Sequence, residues 1–385
     1  MNQVGRSSAS DGIRVVHMAA YGGAYSGSFI PMLEAARAGV ESRGWRYEVV
    51  FTQGAERHAW YHELRDRGVA VRVAPRLTRR TATGWTRSLL SEHAGPTLLH
   101  THFSAWDVPA SVAAARQEGS VVIWHLHSRL LESPITRARN AARFGLLGRT
   151  VARILCVGPA VRAQALARLA PASRTEILLN GIDLGRFTPM PGGERREARR
   201  RLGLAPDSEV LLAFVWDWEL KGGALLVETV RELRRRGRDT HAVIVGSEDR
   251  VRTAAETAGL DGAVHPVAPM EAVTDLYGAA DVFVSASAAE GTPFSLLEVL
   301  ASGTPVIASD IAGHRFAAAA MPACRLVALR AETFTDAIEA ELDAAASDRT
   351  ERLALTRERI GRDFSLEGWT RGLLAIYDRV LALPT

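Results

Sequence analysis

Thirteen short apolar runs, alternating with segments of helical periodicity from one end of the chain to the other, constrain the fold more than any other feature. Such alternation is what a parallel sheet with helices on both faces requires, because each parallel strand must be returned to its starting edge by a crossover. Seven runs, IRVVHMA, YEVVF, VAVRV, TLLHTH, VVIWHL, ILCVG and EILL, precede a Pro- and Gly-rich stretch, TPMPGGE. Six more follow it: EVLLAFVW, HAVIVG, AVHPV, DVFVSAS, TPVIAS and CRLVAL. The fold class expected is α/β, two doubly wound Rossmann-like domains with an interdomain cleft. The expected boundaries are a disordered leader over 1–12, a first domain over 13–187, a linker over 188–194, a second domain over 195–364 and a C-terminal helix over 365–385. That last segment carries Trp369, Leu373, Leu374 and Tyr377 at helical spacing and could pack on either domain. A length of 385 residues suits two such domains better than one.

No run approaches the eighteen or so apolar residues of a membrane helix, and the polar first dozen residues lack the apolar core of a secretory signal. Cys156 and Cys324 stand in apolar stretches, as buried thiols do in a reducing compartment, and a cytoplasmic location is expected. The net charge of +4 conceals an asymmetry: residues 1–190 hold 24 arginines against 13 acidic residues, +11, which leaves −7 for the rest. Arg137, Arg139, Arg143, Arg149 and Arg153 cluster on one helical stretch and its exit. They read as a solvated helix face, or as a surface for an anionic acceptor or for weak membrane contact. No aromatic-interleaved basic motif accompanies them, so nucleic acid is not an expected partner.

The segment ADVFVSASAAEGTPFSLLEVLASGTPVIAS, residues 280–309, carries the most chemistry. A strand ends at Ser285, a small-residue loop reaches Glu290 and Gly291, and Pro293 and Ser295 fit the first positions of a helix. Backbone N–H groups there face the space beyond the strand end, and Glu290 and Glu298 can present carboxylates to one pocket at different heights. EGTPFSLLE followed by ASGTPVIAS resembles the E-x7-E element of the retaining GT-B glycosyltransferases of family four. The resemblance implies that Glu290 contacts the donor sugar, that Gly291, Thr292, Pro293 and Phe294 hold sugar hydroxyls and phosphate, and that Glu298 binds ribose hydroxyls.

Of 47 basic residues one is a lysine, Lys221, in FVWDWELKGG after the first strand of the second half. A chain that uses arginine everywhere else keeps a compact ammonium here, where it can neutralise a departing diphosphate. The resembled family commonly has an arginine five residues earlier; this chain has Trp216. Asp217 and Glu219 form a D-x-E beside the lysine, a weak metal signal, and no Asp-x-Asp occurs anywhere. Neither a metal nor a cofactor is expected.

In the first half, YGGAYSGSF follows the opening strand, and Gly22 and Gly23 allow close approach of backbone to a phosphate or acceptor. His100 and His102 share one face of their strand, and His125 and His127 share one face of theirs. A four-histidine metal site is conceivable from that spacing, but nothing else in the sequence supports it. The resemblance places His127 near the anomeric carbon; His102 and Tyr25 are candidate acceptor contacts. LLNGIDLGRFTP, residues 178–189, is similar to the element that closes the first domain in the family, and Asn180 and Asp183 read as turn formers. The resemblance spans roughly residues 13–320. It implies a metal-independent transferase moving a sugar from a nucleotide-diphosphate sugar to a hydroxyl of a small-molecule natural product or a lipid, with His127, Lys221 and Glu290 catalytic. Open alternatives are a nucleotide-sugar epimerase or hydrolase, or a non-catalytic sugar-nucleotide-binding partner.

Overall fold

The computed structural model describes residues 12–76, 78–128, 133–270 and 273–382. All of the expected leader except Gly12 lies outside the described residues. The first seven apolar runs form β1 (Arg14–Ala19), β2 (Arg46–Phe51), β3 (Val71–Val73), β4 (Thr97–His102), β5 (Ser120–Leu126), β6 (Arg153–Cys156) and β7 (Thr175–Ile177). The remaining six form β8 (Glu209–Phe214), β9 (Thr240–Val245), β10 (Val264–Val267), β11 (Val282–Ser285), β12 (Val306–Ser309) and β13 (Cys324–Val327). The two sheets have the orders β3-β2-β1-β4-β5-β6-β7 and β10-β9-β8-β11-β12-β13, parallel throughout. The order reverses between β1 and β4, and again between β8 and β11. Each reversal splays successive crossovers to opposite faces and leaves a crevice at the carboxyl ends of the strands.

Central strands are covered on both faces, which is why β1 and β4 are buried at all six positions. Any polar side chain on them must find its partner inside the protein. The helices Phe29–Glu41 and Leu366–Leu381 pack together on one face of the first sheet, with Phe29, Leu33, Trp369, Leu373 and Tyr377 in one core. The C-terminal helix therefore belongs to the first sheet. The preceding helix, Ala346–Asp363, packs on the helix Phe294–Ala301 of the second half. The return crossing is stitched by Ile182, whose N–H donates to the Phe364 carbonyl at 2.7 Å and whose carbonyl accepts from Leu366 N–H at 3.0 Å. Asn180 to Phe187 thus hold the point where the chain passes between the halves twice. Within the Pro- and Gly-rich stretch, a helix begins at Gly192 and runs to Arg201, anchored by Arg195 and Arg199 on the Asp281 carboxylate at 2.5 and 2.6 Å. Cys156 and Cys324 are both free thiols, pushed up to about 12 by burial. No described helix is long and apolar enough to cross a membrane.

Candidate functional site

At the second crevice, the loops after β8 and β11 meet. After β8 the chain turns on Asp217, whose carboxylate accepts from Leu220 N–H at 2.9 Å and whose carbonyl accepts from Lys221 N–H at 2.9 Å. The turn aims the Lys221 ammonium across the crevice, where it donates to Glu290 Oε1; Ser287 Oγ donates to the same oxygen at 2.9 Å. Gly222 makes the approach possible, since its φ is +68° and a Cβ there would lie 2.5 Å from the Ala286 carbonyl. The Lys221 and Glu290 side chains are only 20% and 15% exposed, so water screens their charges weakly. Glu219 points away and pairs with Arg250 at 3.0 Å. Asp217 and Glu219 therefore do not converge on a common ligand position.

Glu298, in the second turn of the helix Phe294–Ala301, is fully buried. Its two oxygens accept from two hydroxyls, Ser28 Oγ at 2.6 Å and Tyr277 OH at 2.7 Å. Burial pushes its pKa up, against the pull of those hydroxyls and of the Arg186 charge. Arg186 is itself tied to the loop after β1, donating to Gly27 O at 2.8 Å and Ser26 Oγ at 3.0 Å. Trp216, at the position where the resemblance expects an arginine, stacks on Tyr25 with ring centroids 5.6 Å apart. Tyr25, expected on the acceptor side, thus packs on the core of the second half. In the same loop the Gly23 carbonyl accepts from Trp60 Nε1 at 3.0 Å, while Gly22 has open space around it.

The segment expected to hold the donor also joins the two halves. Thr292 Oγ1 donates to the Val157 carbonyl at 2.8 Å, and the Thr292 carbonyl accepts from Asn180 Nδ2 at 2.8 Å. Asn180 is accordingly a clip between the halves, whereas Asp183 forms the turn, its Oδ1 accepting from Gly185 N–H at 2.8 Å and Arg186 N–H at 3.1 Å. A Cβ on Gly291 would come 2.8 Å from the His127 carbonyl, which explains a glycine there. Pro293 caps the helix that Phe294 opens, and Phe294 packs on both cores.

At the first crevice, strand register brings histidines together: His17 lies beside His100, and His102 lies beside His125. With His127 they form one hydrogen-bonded chain. His127 Nε2 meets His102 Nδ1 at 2.9 Å, His102 Nε2 meets His17 Nδ1 at 3.0 Å, and His17 Nε2 meets Tyr377 OH at 2.8 Å. The same hydroxyl meets His100 Nδ1 at 2.5 Å, and His100 Nε2 meets His125 Nδ1 at 3.2 Å. A neutral imidazole supplies one N–H and one lone pair, and a phenol can do both, so all five bonds are satisfied with every ring uncharged. The protons then run in one of two directions, and only the chain ends, His127 Nδ1 and His125 Nε2, lack a partner among the described residues. Burial holds all five rings neutral: His17 and His125 are lowered to about 3, and His100, His102 and His127 well below the usual value.

The structure brings Lys221 and Glu290 into contact, seats Glu298 deeper in the same half, and sets His127 against the Gly291 backbone. His102 is the buried link behind His127. Sequence reasoning missed His17, Tyr377, Ser28, Tyr277 and Arg186, and also His314, a buried ring held between Ser285 Oγ at 3.2 Å and the Ser309 carbonyl at 2.8 Å. His17 was findable, since IRVVHMA puts a histidine on a central strand beside LLHTHF. The others come from distant segments and carry no local signal.

Two family models match the chain: one described as Glycosyltransferase Family 4 over residues 32–186, and one described as Glycosyl transferases group 1 over residues 210–343. Among curated proteins, a D-inositol 3-phosphate glycosyltransferase from Nocardia farcinica is 34% identical over 227 residues, 55% of this chain and 49% of that protein. A lipopolysaccharide core biosynthesis mannosyltransferase from Rhizobium meliloti is 28% identical over 220 residues, 53% of this chain and 61% of that protein. This chain spans about half the length of the first of these relatives. A Rickettsia africae glycosyltransferase structure superposes with a TM-score of 0.81 at 15% identity, covering 97% of this chain and 100% of its own. The Anabaena protein HepE, solved in complex with UDP and glucose, does so with 0.79 at 16% identity, covering 94% and 99%. These likenesses establish the fold, and identities this low carry nothing further.

Proposed function

Because this chain belongs to the family-four, group 1 glycosyltransferases of GT-B architecture, we propose that it transfers a sugar from a nucleotide-diphosphate sugar to a hydroxyl of a small-molecule acceptor, with retention and without a metal. The observation that carries the reading is the lone lysine held against Glu290 at the β8/β11 crevice. As the bond from the anomeric carbon to the diphosphate breaks, negative charge gathers on the phosphate and positive charge on the sugar. An ammonium and a carboxylate fixed beside one another before reaction suit those two charges, Lys221 serving the phosphate and Glu290 the sugar. Glu298 already accepts two hydroxyl hydrogen bonds, which is the chemistry a ribose diol offers, so a nucleoside would replace Ser28 and Tyr277 there. His127, neutral and next to Gly291, can bond a sugar hydroxyl without placing a second positive charge near the developing cation.

The nucleotide is open, and UDP-sugars are the first donors to test because HepE, a protein of the same fold, was solved with UDP. The test is incubation of the protein with UDP-sugars and a mixed set of hydroxylated acceptors, with the product's anomeric configuration read by proton NMR. A glycoside of retained configuration supports the reading. Free sugar or an epimerised donor as the only product would replace it with a hydrolase or an epimerase.

A further inference from the structure

A cavity of about 1100 Å³ opens in the first half at the carboxyl ends of β2, β3 and β4, under the helix Pro134–Leu146. Its walls are mostly apolar, with Ala74, Ala82, Trp106 and Leu147 among them, and its charged lining residues are Arg76, Arg139 and Arg143. No acidic side chain is among the described lining residues. Arg143 is neutralised by the buried Asp107 at 3.0 Å, whereas Arg76 and Arg139 have no ion-pair partner among the described residues. A second cavity, about 140 Å³, is lined by His127, Phe103, Ser104 and Phe144. Ser104 lines both, so the large cavity abuts the small one that reaches the catalytic histidine.

On the reading of the chain as a glycosyltransferase, we infer that the large cavity holds the non-reacting body of the acceptor. The acceptor is a soluble hydroxylated compound with a broad apolar skeleton and an anionic group, a carboxylate, sulfonate or phosphate. Three features carry this. The cavity, about 1100 Å³, is slightly larger than the roughly 300–1,000 Å³ usual for a drug-sized ligand, so it admits a broad skeleton. Its largely apolar walls, with a few neutral polar side chains such as Gln53, Ser104 and Asn140, suit an apolar skeleton that bears a few hydroxyls better than a saccharide, many of whose hydroxyls would lose water without a partner. Arg76 and Arg139, without an ion-pair partner among the described residues, supply the cationic end for a single anion. The acceptor hydroxyl then lies in the small cavity at His127. In the transfer the acceptor O–H bond breaks and its oxygen bonds the anomeric carbon. The carbon–oxygen bond to the diphosphate breaks, the electron pair leaves with the phosphate, and the proton passes to that phosphate, so no further reactant is required.

The experiment uses the full chain with 8-anilinonaphthalene-1-sulfonate as the apolar anion and N-phenyl-1-naphthylamine, the same rings without the sulfonate, as its neutral counterpart. Thermal midpoints confirm that Arg139→Glu and Ala142→Trp, two exposed positions lining the cavity, are folded. The expected result is one saturable site for the sulfonate, weakened about tenfold by Arg139→Glu, and also lost on filling the cavity with Ala142→Trp. The neutral amine should respond to Ala142→Trp only. Sulfonate binding indifferent to both variants, or equal binding and response by both probes, would overturn the inference. So would salt-sensitive sedimentation with phosphatidylserine vesicles that Arg139→Glu abolishes, since the arginines would then serve a bilayer. Calorimetry of the wild-type protein with UDP and other nucleoside diphosphates separates the two readings. If none binds, the glycosyltransferase reading fails; if one binds and the probes do not behave as stated, only the acceptor inference fails.

Discussion

The two crevices have the same sheet topology and opposite electrostatics. At the β1/β4 reversal, five imidazoles and a phenol satisfy one another without a charge, four of the rings buried and His127 half-buried at the chain's end. At the β8/β11 reversal, an ammonium meets a carboxylate near the surface, and a second carboxylate sits buried on two hydroxyls. The difference follows from where each polar group stands. His17, His100, His102 and His125 are on central strands covered on both faces, and His127 lies one residue past the end of β5, so desolvation favours their neutral form. Lys221 and Glu290 are on loops past the strand ends, where each has the other's opposite charge as its partner. An enzyme that breaks a sugar–phosphate bond has use for both, charge where charge develops and a neutral hydrogen bond where a further cation would repel the sugar.

Acid should break this contrast with the largest effect. A histidine whose folded pKa is depressed takes up protons more readily when unfolded, so its contribution to stability is present above about 6.5 and falls as pH drops toward the folded value. The loss is about 1.4 kcal/mol per pH unit for each such group. His17 and His125, lowered to about 3, would together remove on the order of 7 kcal/mol by pH 4, comparable with the roughly 5–15 kcal/mol that holds an ordinary domain folded. Glu298 and Asp107, both shifted up by burial, pull the other way. Calorimetric thermal midpoints from pH 7 to pH 4 should therefore fall steeply. A flat profile would mean that the rings are already charged or solvated.

The ionic crevice is probed by Lys221. Removing a charge that stabilises a leaving group costs about 3 to 4 kcal/mol, so Lys221→Ala should lose roughly 100- to 1000-fold in turnover while staying folded. Lys221→Arg should also be impaired, because a broad planar fork replaces a compact head on the Glu290 oxygen. Wild-type turnover in the arginine variant would show that only charge matters there. Glu298→Ala should act on binding instead. A charged acceptor for ribose hydroxyls contributes about 1.5 to 3 kcal/mol, so donor KM should rise while turnover at saturation changes less. Calorimetry showing unchanged UDP affinity would leave Glu298 with Ser28 and Tyr277 as purely structural partners.

What the sequence disclosed and what it withheld divide along the same line. The thirteen strands were legible because apolar runs between helical segments have few alternative solutions, and Glu290, Glu298 and Lys221 because they lie in contiguous motifs. The links between segments were not legible. Nothing local says that Tyr377 reaches the strand histidines, that Ser28 donates to Glu298 across 270 residues, or that Thr292 is committed to Val157 and Asn180. Trp216 was visible as a departure from the family pattern, but its consequence, a stacked Tyr25, needed the loop after β1 in place.

Tyr377→Phe sharpens the neutral side with a smaller effect. It keeps the ring in the core and removes the one hydroxyl that joins His17 to His100, leaving a buried ring nitrogen on each without its partner. Two such groups cost about 1 to 3 kcal/mol each, so the thermal midpoint should drop by several degrees. The nitrogen-15 shifts of the imidazoles should also change, since the break lets the two halves of the chain choose tautomers independently. A variant with unchanged shifts and stability would show that the hydroxyl is not the link.

The smallest effect expected is that of a chelator. Among the described residues, the side chains close enough to share a metal ion are His17, His100 and His102, or His102, His125 and His127, with ligand atoms within 4.8 Å of one another. An ion at the first group would need lone pairs that now accept hydrogen bonds from neighbouring groups, so its rings would have to give up those bonds or turn out of the chain. At the second group the chain ends, His127 Nδ1 and His125 Nε2, have no partner among the described residues, but His102 is bonded at both of its nitrogens and would have to give one bond up. The neutral chain already satisfies every internal nitrogen with one proton per ring, and on the proposed reading the Lys221 ammonium would supply the positive charge that a metal would bring to the phosphate. Prolonged dialysis against EDTA and 1,10-phenanthroline should therefore leave turnover and thermal midpoint unchanged, with no zinc, copper or nickel above background by mass spectrometry. Loss of both on chelation, and their return with one divalent ion, would reassign the histidines as a metal centre, and the neutral half of the comparison would go with them.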